Sequence, residues 1–114
     1  MDMQMSNRPV CVVVGVGSGN GAALARRFAR EGYAVALLAR TVEATGPLAE
    51  TLEGARAFTC DVTDETSVRT TFESIEHEMG PVRTLVYNAG TGTWGTVEEI
   101  TPATLEGAFR VNTM

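Results

Sequence analysis

Apolar positions along this chain follow two alternating rhythms. Val10 to Val14 is an unbroken β-branched run, which fits a strand buried on both faces, as in a parallel sheet. A glycine-rich stretch follows. Leu24, Ala25, Phe28 and Ala29 then recur at helical spacing through about Arg30, with Arg26, Arg27 and Arg30 off that stripe, and Gly32 is a helix stop. Tyr33 to Ala39, YAVALLA, predicts a second buried strand. The segment Thr45 to Gly54 predicts a short helix with Pro47 in its first turn, Leu48 and Leu52 pointing inward and Gly54 at its end. Ala55 to Cys60 predicts a third strand. Thr63 or Asp64 caps the next helix, where Val68, Phe72, Ile75 and Met79 recur before Gly80-Pro81 stops it. Val82 to Tyr87 is a fourth strand. A loop rich in Gly and Thr runs to about Ile100, and Thr101-Pro102 opens a last helix with Leu105, Phe109 and Asn112 on one face.

The order is βαβαβαβα, with no internal repeat and no linker. Strands alternating with helices at this spacing give an α/β fold whose parallel sheet is wrapped on both sides. Right-handed crossovers then set a Rossmann-like, doubly wound strand order of 3-2-1-4. A ligand crevice is expected at the carboxyl ends of strands 1 and 4, where the winding reverses. Residues 1–9 read as a short disordered lead, and residues 10–114 as one partial domain that breaks off after the helix following strand 4.

Composition narrows the function. The net charge of −5 argues against a nucleic-acid binder, which needs a basic face. No apolar stretch is long enough to span a bilayer, and the first ten residues lack the order of a signal peptide, so a cytoplasmic location is expected. Cys11 and Cys60 fall in predicted strands and read as core residues; no metal site is expected. His77 stands between Glu76 and Glu78 and reads as part of a solvated face. All nine basic residues are Arg, and the chain has no Lys.

The candidate chemistry begins at the glycine-rich turn, GVGSGNG. Gly15, Gly19 and Gly21 fit a G-x-x-x-G-x-G pattern between a strand and a helix; Gly17 adds flexibility, Ser18 a hydroxyl donor, and Asn20 lies between the last two glycines. A pyrophosphate needs backbone N–H groups aimed at it, with a helix N-terminus behind them and no Cβ in the way. The plain alternative is a tight turn that binds nothing. A Walker loop is excluded, because no G-K-[ST] follows. The end of strand 2 then discriminates between dinucleotides. A carboxylate there would hold a ribose 2′-hydroxyl, whereas this strand ends Ala39-Arg40-Thr41. A guanidinium makes charge-assisted bonds to phosphate, so NADP is expected, with its 2′-phosphate beside Arg40 and the Thr41 hydroxyl assisting. A solvated Arg at a strand end is the competing reading. An S-adenosylmethionine-dependent methyltransferase would share the glycine turn, but it would carry acidic groups where this chain has Val13 and Arg40.

Four ordered segments, GVGSGNG, Cys60-Asp61-Val62, Tyr87-Asn88-Ala89-Gly90 and Phe109-Arg110-Val111-Asn112, resemble the short-chain dehydrogenase/reductase family from Val10 onward. The resemblance implies an NADP(H)-dependent oxidoreductase acting on a small carbonyl or alcohol, and a homo-oligomer at full length. It implies that Asp61 and Val62 flank the adenine, that Asn88, Ala89 and Gly90 support the cofactor and the sheet, and that Asn112 orders a water in a catalytic proton relay. The departures from the family pattern are Val14 before the first glycine, Asn20 between the last two, and Tyr87 before the asparagine. The family's relay also needs Ser, Tyr and a Lys four residues after the Tyr. This chain has only Tyr33 and Tyr87, Thr91 stands four past the latter, and no Lys is present. Without a neighbouring Lys a Tyr titrates near pH 10 and is a poor base at neutrality. The expectation is therefore the N-terminal half of a longer reductase, inactive alone. The competing reading is a non-catalytic nucleotide-binding or association module. Trp94 would either close a substrate pocket or pack its loop on the sheet.

Overall fold

The computed structural model describes residues 8–17, 19–43, 45–89 and 101–113. Its elements are β1 (Val10–Val14), α1 (Asn20–Arg30), β2 (Ala34–Ala39), α2 (Thr45–Thr51), β3 (Arg56–Thr59), α3 (Glu65–Met79), β4 (Val82–Tyr87) and α4 (Pro102–Thr113). The four strands form one parallel sheet in the expected doubly wound order β3-β2-β1-β4. The expected lead falls mostly on residues 1–7, outside the described residues.

β1 is central and buried along its whole length, from Val10 to Val14. Its alternate side chains feed two cores. Val10, Val12 and Val14 join Ala34, Ala36, Leu38 and Ile75 on the face covered by α3. Cys11 and Val13 join Val35, Leu37 and Leu48 on the face covered by α1 and α2. In α1 the buried side chains are Ala22 and Ala25, and the larger Leu24 and Phe28 are half-buried. Of the expected stripe, Ala25 is buried and Phe28 and Ala29 pack against this core, and Ala22 joins them; the small residues let the helix lie close to the sheet. Burial in this core pushes the Cys11 thiol up to about 11. It stays protonated at neutral pH, as a core thiol should.

Three boundaries differ from expectation. Tyr33 precedes β2: its N–H donates to the Phe28 carbonyl, and its ring packs edge-on against Phe28 at 5.1 Å, so it completes the exit from α1. β3 spans only Arg56–Thr59, although the Cys60 N–H still reaches the Ala39 carbonyl at 2.8 Å. α2 ends at Thr51, and the chain turns at Gly54 with a φ of +83°. Between Thr63 and Asp64, Asp64 is the cap of α3: its Oδ1 accepts from the N–H groups of Thr66 (3.0 Å) and Ser67 (3.3 Å), a contribution of about 1 kcal/mol.

β4 pairs with β1 through a register shift between Val10 and Cys11 that leaves Arg83 unmatched. Beyond it, Leu85 and Tyr87 lie opposite Val12 and Val14 and are about half exposed. Among the described residues no strand covers the other edge of β4.

Candidate functional site

The carboxyl ends of the strands open into a crevice of about 780 Å³, within the range of small-molecule and cofactor sites. Its floor is the turn from β1 into α1. The N–H groups of Gly15 and Val16 both donate to the Leu38 carbonyl, at 2.9 and 3.1 Å, which bends the chain out of β1. Asn88 locks the turn from the other side. Its backbone N–H donates to the Val14 carbonyl at 2.8 Å, and its side-chain Nδ2 donates to the Gly15 carbonyl at 3.2 Å.

The glycines divide into two kinds. A Cβ on Gly15 would overlap backbone atoms of Asn88 and Ala89, and Gly15 has a φ of +93°. A Cβ on Gly21 would stand 2.5 Å from the Gly15 carbonyl oxygen and 2.9 Å from the Val16 Cα. Those two positions must be small for the protein's own packing. Gly17 and Gly19, by contrast, have no atom of the other described residues, chain neighbours aside, within 4 Å of the Cβ position, and both line the crevice. Gly19 is also the N-cap of α1, and among the described residues no side chain caps that helix. An anion at this end of α1 would meet free backbone donors, the positive end of the helix dipole and open space. The turn therefore fits a pyrophosphate.

Of the expected site residues, the crevice gathers Gly15, Gly17, Gly19, Asn20, Gly21, Arg40, Asp61, Val62, Asn88 and Ala89 on one wall system. Arg40 follows β2 and is exposed at the crevice end remote from β4. Thr41 is exposed and does not line the crevice; its carbonyl accepts from the Thr45 hydroxyl at 3.5 Å as the chain turns into α2. Ser18, Gly90 and Trp94 lie outside the described residues. Asn112 is on α4, with its side chain outside them, as are those of Leu105 and Phe109.

Asp61 also holds its own loop together. Its Oδ1 accepts from the Thr63 hydroxyl at 2.7 Å and the Thr63 N–H at 3.0 Å, while its own N–H donates to the Ser67 hydroxyl at 3.0 Å. The Thr63 bonds, hydroxyl first, hold the Asp61 carboxyl below its ordinary range, with smaller help from Arg40 and Arg110. The second carboxylate oxygen makes no hydrogen bond among the described residues. Sequence reasoning missed Thr63 and the α4 side of the crevice, which Thr104, Gly107, Arg110 and Val111 supply. The signal was there: 104, 107 and 111 share a helical face, distinct from that of 105, 109 and 112. The Tyr87 hydroxyl donates to the Val111 carbonyl at 2.7 Å and ties α4 to the end of β4. Among the described residues no group of His, Cys, Asp and Glu could hold a metal, and no helix is long and apolar enough to cross a membrane.

Comparison with known proteins agrees with this geometry. The family model described as short chain dehydrogenase matches residues 9–114. The human 3-oxoacyl-[acyl-carrier-protein] reductase is 44% identical over 82 residues, which is 71% of this chain and 35% of that protein. The reductase MabA of Mycobacterium tuberculosis, also a 3-oxoacyl-[acyl-carrier-protein] reductase, is 36% identical over 108 residues, 88% of this chain and 41% of that protein. Among solved structures, a variant actinorhodin polyketide ketoreductase crystallised with NADPH superposes with a TM-score of 0.88 at 29% identity, covering 98% of this chain and 44% of that one. The chain thus spans well under half the length of these relatives.

Proposed function

This chain belongs to the short-chain dehydrogenase family, and from that premise we propose that it is the dinucleotide-binding portion of an NADP(H)-dependent reductase of a carbonyl or alcohol substrate. The observation that carries this reading is Arg40: a guanidinium, with no carboxylate beside it in sequence, where β2 opens into a crevice floored by an uncapped helix and two open glycines. The 2′-phosphate would pair with Arg40, the pyrophosphate would accept from the backbone of the Gly17–Asn20 turn, and the adenine would lie against Val62 with its amino group toward the free Asp61 oxygen. Ala89 and the Asn88 backbone would support the nicotinamide half, as Gly90 would. When bound, NADPH supplies the hydride that reduces a carbonyl carbon. The chain's own contribution is to bind and orient. Asn112 would order a water for the proton relay, but a Ser/Tyr/Lys relay cannot be assembled from a sequence without Lys. These 114 residues are therefore expected to bind the cofactor and to reduce nothing by themselves. A cytoplasmic homo-oligomer belongs to the same reading, and the relatives' names make a 3-oxoacyl compound the first substrate to try with a full-length enzyme.

Fluorescence titration of the chain with NADPH and NADH, and calorimetric titration with S-adenosylmethionine, tests the assignment. NADPH is expected to bind about tenfold or more tightly than NADH, and Arg40→Ala to remove most of that margin, the loss of a charge-assisted phosphate contact. Binding of S-adenosylmethionine in preference to either dinucleotide would overturn it. Carbonyl reduction by the chain alone would refute the claim that the relay is missing.

A further inference from the structure

We propose that Arg110 is a second determinant of NADP(H) preference, offsetting Asp61 so that the adenosine end of the crevice carries a net positive charge toward the 2′-phosphate. The inference rests on the reading of this crevice as an NADP(H) site. Three ionic side chains line the crevice among the described residues, and each comes from a different element: Arg40 from the end of β2, Asp61 from the loop after β3, and Arg110 from α4. Four other arginines are already engaged on the surface, Arg8 with Glu53, Arg27 with Glu31, Arg56 with Glu78 and Arg69 with Glu65. Arg40 and Arg110 form no such pair among the described residues.

The charge sum decides the matter. Asp61 is exposed and ionised at neutral pH, as any solvated carboxylate is, and Thr63 favours the charged form further by donating twice to Oδ1, through its hydroxyl and its N–H. One guanidinium beside one carboxylate sums to zero. A phosphate monoester carries roughly −1.5 to −2 near pH 7, so a neutral pair offers it little, and the carboxylate repels it. Arg110 brings the sum to +1. Geometry brings the charges together: the Cys60 N–H donates to the Ala39 carbonyl at 2.8 Å, which sets Asp61 next to Arg40, and Arg110 shares the lining of a second hollow with Val62 and Thr63, just past Asp61. A dinucleotide without the 2′-phosphate carries its negative charge on the pyrophosphate, away from this end of the crevice, and gains far less, so Arg110 bears on discrimination rather than on binding as such. All three groups are exposed, so the effect is screened by salt.

The test is equilibrium binding of NADPH and NADH at low ionic strength, read as the ratio of the two affinities. Arg110→Gln is expected to weaken NADPH binding about tenfold while NADH changes less than about twofold. Adding Asp61→Asn to that variant is expected to restore the wild-type ratio, and Arg110→Lys, which keeps the charge, to retain it. Loss of NADPH and NADH affinity in equal measure, or failure of Asp61→Asn to restore the ratio, would overturn the inference and indicate that Arg110 only packs α4. An unchanged ratio in Arg110→Gln alongside a lowered one in Arg40→Ala would overturn it too, leaving the cofactor assignment intact. A wild-type ratio near one would remove the assignment itself, and this inference with it. Circular dichroism on each variant separates loss of fold from loss of charge, and should Arg110→Gln fail to fold, Arg110→Met, which keeps the apolar stem without the charge, decides: its ratio must fall below wild type.

Discussion

Gly15→Ala is expected to cost at least about 3 kcal/mol, enough to leave a chain of ordinary marginal stability largely unfolded at modest denaturant. Two causes add. A left-handed φ of +93° disfavours any Cβ, and the space the new methyl would enter is filled by backbone: the Ala89 Cα would be 2.5 Å away and the Asn88 carbonyl carbon 2.8 Å. No rotamer change relieves a clash with main chain. The end of β4 would have to move away from β1, and with it would go the bonds from Asn88 to the Val14 and Gly15 carbonyls. Urea unfolding followed by circular dichroism measures the effect. A change below about 1 kcal/mol would mean that β4 does not approach the turn as closely as described.

Gly19→Val is expected to do the opposite. The Cβ meets no atom of the other described residues within 4 Å, chain neighbours aside, so the stability cost should be that of a poor N-cap residue, on the order of 1 kcal/mol. Dinucleotide binding should fall about 100-fold or more, because the isopropyl group occupies the approach to the uncapped N-terminus of α1. The comparison separates two jobs that one sequence motif conflates. In G-x-x-x-G-x-G the outer glycines, Gly15 and Gly21, are small because protein backbone crowds them. The middle one is small because space is kept open. A Gly19→Val chain that folds normally and binds NADPH as tightly as wild type would place the pyrophosphate elsewhere. Titration by reduced-nicotinamide fluorescence distinguishes these outcomes.

The fold was legible because buried parallel strands leave little ambiguity. Val10–Val14 and Ala34–Leu38 are apolar at every position, and the structure buries every one. The strand order is the one expected from right-handed crossovers in a Rossmann-like, doubly wound sheet. Boundaries were less legible where a residue serves its neighbour instead of its own run. Tyr33 looks like strand but closes α1, and Cys60 keeps a single bond to β2 after β3 has ended. The glycine turn, Arg40 and Asp61 were readable because each sits at the end of a strand and the crevice lies where strands end. Thr41 stands off the crevice lining because the chain turns toward α2 immediately after Arg40, a tertiary choice with no local signal. Arg110 was missed for a related reason. The apolar residues Leu105 and Phe109 dominate the periodicity of α4, and which face meets the crevice depends on how Tyr87 holds the helix at the Val111 carbonyl. The Asp61–Thr63 bonds are local, and a D-x-T sequence after a strand could have suggested them.

The most direct measurement is a two-dimensional ¹H–¹⁵N NMR titration of the labelled chain with NADP. The Gly17, Gly19 and Asn20 amides and the Arg40 Nε–H are expected to shift together and saturate at one ligand per chain, with the Arg40 signal unmoved when NAD replaces NADP. Saturating NADP that leaves the Gly19 amide and the Arg40 guanidinium where they were would contradict the assignment of this crevice.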